Sequence, residues 1–83
     1  MNHKIALVTG AGSGIGRASS LGLLEAGYFV ILTGRRIAPL EETKELSKYQ
    51  TMAACYPSDM TDRDSVKALF EMIEKTYGRL DLL

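Results

Sequence analysis

Residues 8–17, VTGAGSGIGR, place four glycines at every second position between an apolar run and a helical pattern. The preceding residues 5–8, IALV, predict a short buried strand, and from Ile15 onward small and apolar residues recur at helical spacing. The glycines therefore lie where a strand turns into a helix. A helix N-terminus carries unpaired N–H groups and about half a positive charge, and glycine lets an anion approach the backbone closely. This stretch predicts a phosphate-binding loop.

The spacing of these glycines differs from the G-x-G-x-x-G pattern of many dinucleotide-binding loops. The chain has T-G-x-x-x-G-x-G instead, formed by Thr9, Gly10, Gly14 and Gly16. A flexible turn that binds no ligand is the alternative interpretation. The strand pattern on one side and the helix pattern on the other favour the phosphate-binding loop.

Length and composition limit the chain to one compact unit with an apolar core. It has 83 residues, of which 46% are apolar, against about 100–150 residues in a typical domain. Ten basic and ten acidic side chains cancel, so the charge favours neither nucleic acid nor a membrane as a partner. No run approaches the ~20 apolar residues of a membrane span.

Cysteine and histidine are too few for a disulfide or a metal site. Cys55 is the single cysteine and cannot form an internal disulfide, which favours a reducing, cytoplasmic location. His3 is the single histidine, and its distance from Cys55 in the sequence fits no recognised metal-ligand spacing. We therefore predict no metal site.

Strand and helix patterns alternate along the rest of the chain. Apolar or β-branched runs predict strands at residues 28–33 and 51–56, and a helical pattern follows each of them. Residues 80–83 have the pattern of the entry to a fourth strand. Short strand–helix connections imply parallel strands joined by right-handed crossovers. We predict an α/β fold: the N-terminal βαβαβα half of a Rossmann-type, doubly wound parallel sheet, with residues 1–83 forming part of one domain.

Each predicted helix has a stripe of residues at spacings of three and four. The stripe of the first helix, which Gly27 ends, consists of Ile15, Ala18, Ser19, Gly22, Leu23 and Ala26. In the second helix, which begins near Pro39, it consists of Leu40, Thr43 and Leu46. In the third helix, which Thr61 or Asp62 caps and Gly78 ends, it consists of Val66, Leu69, Phe70, Ile73 and Tyr77.

The loop after the second strand bears on the choice of cofactor. In NAD sites an acidic side chain near this point holds the ribose 2′-hydroxyl, whereas a nearby arginine accommodates the 2′-phosphate of NADP. Gly34 stands at the acidic position here, and Arg35 and Arg36 follow. A forked, charge-assisted hydrogen bond is worth about 1.5–3 kcal/mol, a preference of about ten- to a hundredfold for NADP. The alternative, a solvent-facing side chain without a ligand, applies more strongly to Arg36.

The loop after the third strand, residues 59–62, offers two interpretations. Asp59 is suited to accept a hydrogen bond from an adenine amino group, with Met60 against the ring. Alternatively, Asp59 and Asp62 both cap the following helix. Asp62 lies next to the helical run and fits the cap better, which leaves Asp59 available for adenine. The three loops follow parallel strands, so they are expected to form one site at one edge of the sheet.

Together these motifs resemble the N-terminal portion of the short-chain dehydrogenase/reductase family. The resemblance covers the whole chain and rests on TGAGSGIG at 9–16, LTGRR at 32–36, DMTD at 59–62 and GRLDLL at 78–83. It implies an oxidoreductase that interconverts carbonyl and hydroxyl groups with NADP(H), NAD being the less favoured cofactor. The residues implied to meet the pyrophosphate and the nicotinamide side are Gly10, Ser13, Gly14, Ile15 and Gly16. Arg35 is implied to take the 2′-phosphate, with Arg36 as a second candidate, and Asp59 and Met60 the adenine.

The catalytic motifs of that family do not occur in this sequence. Members continue the fourth strand into an Asn-Asn-Ala-Gly loop and later supply a serine and a Tyr-x-x-x-Lys pair. Here none of the four tyrosines has a lysine four residues later. We therefore expect no catalytic residue in residues 1–83 and interpret them as the cofactor-binding part of a longer enzyme. That enzyme would act on a small carbonyl or alcohol substrate, and the resemblance implies a homodimer or homotetramer.

The alternative function is nucleotide binding without redox chemistry. A similar glycine loop holds S-adenosylmethionine in methyl transferases, and a nucleotide-binding module that only senses its ligand would need the same loop. An acidic residue at position 34 would favour the methyl donor, whereas Gly34 followed by Arg35 disfavours it. No G-K-[ST] motif follows the glycines, which argues against a P-loop nucleotidase.

Overall fold

The structure of the chain, a computed structural model, describes residues 3–82. Strands and helices alternate along the chain, as predicted. The elements are β1 (Ile5–Val8), α1 (Gly14–Glu25), β2 (Phe29–Gly34), α2 (Ile37–Glu45), β3 (Ala53–Pro57) and α3 (Arg63–Tyr77). A single 3-10 turn over Gln50–Met52 precedes β3.

The three strands form a parallel sheet in the order β1-β2-β3. Its register places Leu7 opposite Ile31 and Leu32 opposite Cys55. On the other edge of β1, Leu82 forms an isolated parallel bridge with Ala6, and the Leu7 N–H donates to the Leu82 carbonyl at 2.9 Å. The predicted entry to a fourth strand at residues 80–83 thus lies beside β1 as far as Leu82. Leu83 lies outside the described residues.

Side chains from both faces of the sheet form the core. Along β2, Val30 and Leu32 lie in the cluster that contains Leu24 of α1 and Leu40 of α2. The intervening Ile31 belongs to a second cluster, which α3 completes with Leu69 and Ile73. Because helices cover both faces, the prediction of a doubly wound sheet is confirmed.

An acidic side chain holds the segment after α3 against the first strand. The Ile5 N–H donates to Asp81 Oδ2 at 2.8 Å, and Asp81 also accepts two hydrogen bonds from the Arg79 guanidinium, at 2.6 and 2.9 Å. The hydrogen bonds from Arg79 and Ile5 hold the pKa of Asp81 below its ordinary value. This clasp, formed by Ile5, Arg79 and Asp81, fixes the residues that bridge to β1.

Both ends of α3 lie where they were predicted. Asp62 is the N-cap, and its carboxylate accepts a hydrogen bond from the Asp64 N–H at 3.0 Å. Gly78 ends the helix in the left-handed region, at φ 72°, which glycine adopts without steric cost. Of the predicted stripe, Leu69 and Ile73 are buried, whereas Phe70 is exposed.

Both boundaries of β3 differ slightly from the prediction. β3 begins at Ala53 rather than Thr51, because the preceding residues form the 3-10 turn, in which the Met52 N–H donates to the Tyr49 carbonyl. The strand also includes Pro57, one residue beyond the predicted range of 51–56. Proline is tolerated there because β3 lies at the edge of the three-stranded sheet.

The stripe predicted for the first helix is not the face of α1 that the structure buries. Ile15 is 86% exposed, and the buried residues of α1 are Ser20 and Leu24. Ser20 tolerates burial because its hydroxyl donates to the Gly16 carbonyl at 2.7 Å. Gly16 packs against the Gly10 carbonyl, whereas a side chain on Gly22 would meet nothing within 4 Å. Of the stripe predicted for the second helix, Leu40 and Thr43 are buried, whereas Leu46, the C-cap of α2, is 61% exposed.

Candidate functional site

The loops after the three strands meet at one edge of the sheet. The Ala11 N–H donates to the Thr33 carbonyl at 3.1 Å, which joins the glycine loop, residues 9–13, to the end of β2. The Ser58 N–H donates to the Gly34 carbonyl at 2.7 Å, which joins the end of β2 to the loop after β3. All three candidate loops therefore belong to one continuous rim.

The backbone of the glycine loop needs glycine for two different reasons. Gly10 and Gly14 have φ angles of 60° and 54°, a region that residues with a Cβ rarely adopt. Gly16 has an ordinary φ, but a Cβ there would collide with the Gly10 carbonyl. The first turn of α1 thus lies directly against the loop.

The N-terminus of α1 keeps the properties that attract an anion. Ser13 is the N-cap, yet its hydroxyl makes no capping hydrogen bond, and the first turn of α1 holds no acidic side chain. The first-turn N–H groups and the helix dipole therefore face the loop without a negative partner from α1 itself.

A polar cleft, here called the arginine cleft, lies between the glycine loop and α2. Its volume is about 480 Å³. Four of the predicted site residues line it, namely Gly10, Ser13, Arg35 and Arg36, together with Gly12, Arg17, Gly34, Pro39, Leu40 and Glu42. Three arginines thus surround one cleft beside a helix N-terminus.

A second cleft lies on the opposite side of the glycine loop and is mainly apolar. This apolar cleft has a volume of about 750 Å³. Of the predicted site residues it contains Gly10, Ile15 and Gly16; the others that line it are Leu7, Val8, Thr9, Ser19, Gly22, Leu23 and Leu82. Gly10 lines both clefts, so the loop forms the wall between them.

Arg35 and Asp59, from different loops, lie side by side. Arg35 Nε is 3.6 Å from Asp59 Oδ1, and the Arg35 side chain is 70% exposed. Asp59 Oδ1 also accepts hydrogen bonds from the Thr61 hydroxyl at 2.6 Å and from the Thr61 N–H at 2.9 Å. These two bonds, and to a smaller degree Arg35, lower the pKa of Asp59. Asp59 is therefore held within its own turn, and Met60 beside it is exposed.

Hydroxyl groups that the sequence did not single out fix the position of this third loop. The Asp59 N–H donates to Ser65 Oγ at 3.1 Å, and the hydroxyls of Ser58 and Ser65 lie 2.9 Å apart. Ser58 is buried. Because Ser65 belongs to α3, the helix holds the loop that carries Asp59.

Arg17 is the main component of the cleft that sequence reasoning did not assign. It lies in α1 directly after Gly16. An arginine on a helix by itself indicates only a side chain in solvent. In the structure its guanidinium bonds to the glycine loop and to α2. The signal that could have found it is its position within the loop stretch itself, one residue after the last glycine.

Within residues 3–82 there is no group of three or more histidine, cysteine or acidic side chains placed to hold a metal ion. Over the same range, none of the helices combines the length and the apolar character that crossing a membrane requires.

The fold and the rim define a Rossmann-type nucleotide-binding half-sheet. A family model described as short chain dehydrogenase matches residues 4–83, and the chain belongs to this family. Binding of a nicotinamide dinucleotide is typical of its members.

Three similar proteins illustrate the relationship. A probable 2,4-dienoyl-CoA reductase of Bacillus subtilis is 34% identical over 84 residues, which cover 100% of this chain and 33% of that protein. An NADPH-dependent reductase involved in bacilysin biosynthesis superposes with a TM-score of 0.89 at 32% identity, over 98% of this chain and 36% of the other. A 3-ketoacyl-(acyl-carrier-protein) reductase of Brucella melitensis complexed with NADH gives a TM-score of 0.82 at 30% identity, over 95% of this chain and 32% of the other. The chain thus spans about a third of the length of the relatives it matches.

Proposed function

We propose that this chain is the cofactor-binding portion of an NADP(H)-dependent oxidoreductase that interconverts carbonyl and hydroxyl groups. The observation that carries the proposal is the arginine cleft, where Arg35 and Arg36 stand beside the glycine loop. Gly34 occupies the place at which an NAD-selective site has an acidic side chain. A doubly negative 2′-phosphate fits such a cleft better than a neutral ribose hydroxyl does.

The remaining parts of the cofactor are assigned along the rim. The pyrophosphate meets the N-terminus of α1 and the glycine loop, through Gly10, Ser13, Gly14, Ile15 and Gly16. Adenine lies near Met60 and Asp59. Because Asp59 Oδ1 already accepts two bonds from Thr61, we assign the contact with the adenine amino group to Oδ2.

The known relatives support a nicotinamide cofactor without deciding which one. One similar structure is described as an NADPH-dependent reductase and another was solved with NADH. The choice of NADP over NAD therefore rests on the side chains of this chain. Arg35 carries most of that choice, since it lies between the end of β2 and Asp59.

The same proposal extends to the substrate, the oligomeric state and the location of the whole enzyme. The chain matches about a third of its relatives' length, and the proposed hydride transfer uses a serine and a Tyr-x-x-x-Lys pair outside residues 1–83. A small carbonyl or alcohol substrate, a homodimer or homotetramer, and a cytoplasmic location follow from the family.

Calorimetric titration with NADP, NAD and S-adenosylmethionine tests the cofactor assignment. We expect NADP to bind about ten- to a hundredfold more tightly than NAD, as a charge-assisted fork predicts. Binding of S-adenosylmethionine alone would support the alternative of a methyl transferase and end the proposal.

The variant Arg35→Asp locates the selectivity. Replacing the guanidinium by a carboxylate should weaken NADP binding and narrow or reverse its preference over NAD, because repulsion replaces attraction. Lys48→Asp makes the same change of charge at an exposed position beyond the C-terminal end of α2 and should leave the ratio unchanged. If both variants lose the preference for NADP equally, the effect is one of overall charge, and the assignment of Arg35 to the site is wrong.

A further inference from the structure

The Arg17 side chain links three segments of the chain. Its Nη2 donates to the Gly12 carbonyl at 2.6 Å and lies 3.1 Å from Glu42 Oε1. Its Nε donates to Thr43 Oγ1 at 2.9 Å. The Arg17 side chain is only 27% exposed, although it lies in the wall of an open cleft. A single guanidinium thus holds the glycine loop and α2 together.

Thr43 extends this contact to the neighbouring peptide unit of the loop. It is fully buried, and its hydroxyl donates to the Ala11 carbonyl at 2.7 Å while it accepts from Arg17 Nε. Two consecutive carbonyls of the loop, those of Ala11 and Gly12, are therefore bonded toward α2. The space between the loop and α2 is also filled, since a Cβ on Gly12 would lie 2.5 Å from the Cβ of Pro39.

Fixing a carbonyl also fixes the N–H of the same peptide unit. The peptide group is planar and trans, so its carbonyl and its N–H point in opposite directions. Holding the Ala11 carbonyl toward α2 turns the Gly12 N–H away from α2, and holding the Gly12 carbonyl does the same for the Ser13 N–H. Gly12 and Ser13 belong to the part of the loop that lines the arginine cleft, and their N–H groups are turned toward the face of the loop that lies away from α2.

The charge of Arg17 is already balanced within this arrangement. Glu42 forms an ion pair with it, and the guanidinium bonds to carbonyl and hydroxyl oxygens on the side of the loop that faces α2. Arg35 differs in both respects, since it is mostly exposed and its distance to Asp59 is longer, 3.6 Å. The two arginines of one cleft therefore have different roles.

We propose that Arg17 is a positioning residue that orients the Gly12 and Ser13 N–H groups toward the pyrophosphate and holds the loop at a fixed distance from Arg35. This inference rests on the proposed function, because it assigns a role within the same cofactor site. Arg17 acts on the pyrophosphate, which NADP and NAD share. Its loss should therefore weaken the binding of both cofactors by the same factor.

The experiment compares Arg17→Met with the wild-type chain, at a temperature at which circular dichroism shows both to be folded. Methionine keeps most of the side-chain volume but neither the charge nor the donors. We expect the dissociation constants for NADP and NAD each to rise about tenfold, with their ratio unchanged. Without ligand, the backbone order parameters of Gly12 and Ser13 should fall from about 0.85 to below about 0.6.

Two further variants separate positioning from charge and from folding. Arg17→Lys keeps the charge and a single donor nitrogen, so it should restore part of the affinity and of the order in the loop. Glu42→Gln keeps an acceptor near Nη2 and removes a negative charge from the cleft, so it should weaken the binding of neither cofactor. If Glu42→Gln weakens binding as much as Arg17→Met does, balance of charge is the role of the pair, and the positioning role is wrong.

The other outcomes are equally decisive. If Arg17→Met loses NADP binding alone, Arg17 is a direct ligand of the 2′-phosphate. If Arg17→Met keeps both its affinity and an ordered loop, Arg17 has no role in binding. Either result overturns the inference. If the wild-type chain binds neither dinucleotide, the proposed function fails, whereas the order parameters still show whether Arg17 orients the loop.

Discussion

The two clefts on either side of the glycine loop differ in how their walls are made. The wall of the arginine cleft includes side chains that bond to one another, with Arg17 joined to Thr43 and Glu42. The apolar cleft has Ile15 on its wall, 86% exposed. Within the described residues, no charged side chain lines it. This chain therefore organises the side of the loop that faces the arginine cleft with its own hydrogen bonds, whereas apolar groups line the other side.

Two glycines of α1, which both line the apolar cleft, give the largest expected difference, because only one of them lies against the loop. Gly16→Ala should reduce the free energy of unfolding by about 3 kcal/mol, because the added Cβ meets the backbone of the loop. At Gly22 nothing is within 4 Å of an added Cβ. Gly22→Ala should therefore raise the free energy of unfolding by about 0.5–1 kcal/mol. Urea unfolding measures both changes, and effects of the same sign would show that the loop does not restrict position 16.

Two hydroxyl groups provide the next comparison. Thr43→Val removes the donor to the Ala11 carbonyl, in a fully buried position, and should cost about 1–3 kcal/mol of stability. Ser19→Ala, on the wall of the apolar cleft, should stay within about 0.5 kcal/mol of the wild type. Thermal unfolding of both variants gives the comparison. A Thr43→Val chain as stable as the wild type would show that the bond between the loop and α2 contributes nothing.

Acidification should act on the arginine cleft side and leave the apolar cleft unchanged. Because the pKa of Asp59 is lowered by its bonds to Thr61, its stabilising contribution is present above the ordinary value of about 4 and is lost as the pH falls through the lower folded value. An NMR titration should therefore move the Thr61 amide signal below about pH 4, while the Ile15 methyl signals stay constant. In Asp59→Asn the movement at Thr61 should largely disappear. If the methyl signals shift together with the amide, the two sides are coupled.

The smallest expected change in stability comes from Ile15→Gln. The side chain is already exposed to solvent, so its replacement should alter the free energy of unfolding by less than about 0.5 kcal/mol. The same variant should reduce the binding of a fluorescent apolar dye, since it removes an apolar group from the wall of the cleft. A loss of more than 1 kcal/mol would mean that Ile15 is packed in solution.

Local chemistry explains which elements the sequence predicted well. The run at residues 28–33 predicted β2 to within one residue, because a strand covered on both faces is continuously apolar. Asp62 and Gly78 marked the ends of α3, because a capping carboxylate and a left-handed glycine act within one helical turn. The meeting of the loops that carry Arg35 and Asp59 followed from parallel strands alone.

What the sequence did not predict depends on packing between distant elements. Four residues of the predicted stripe line the apolar cleft, namely Ile15, Ser19, Gly22 and Leu23, so the helical spacing did not identify the face that is buried. The buried face includes Ser20, which lies outside that stripe. The bond between Arg17 and Thr43 joins residues 26 positions apart and depends on how α1 and α2 pack, which periodicity does not encode.

The clasp between Asp81 and the first strand also has a consequence for synthesis of the protein. Ile5 and Asp81 are 76 positions apart, and ribosomes add about 5–20 residues per second. The outer edge of β1 therefore waits about 4–15 s for the segment that pairs with it. During this interval the nascent chain carries an unpaired apolar strand edge, the kind of surface that chaperones protect from aggregation. β1 thus acquires this neighbour only after β2, β3 and α3 have been synthesised.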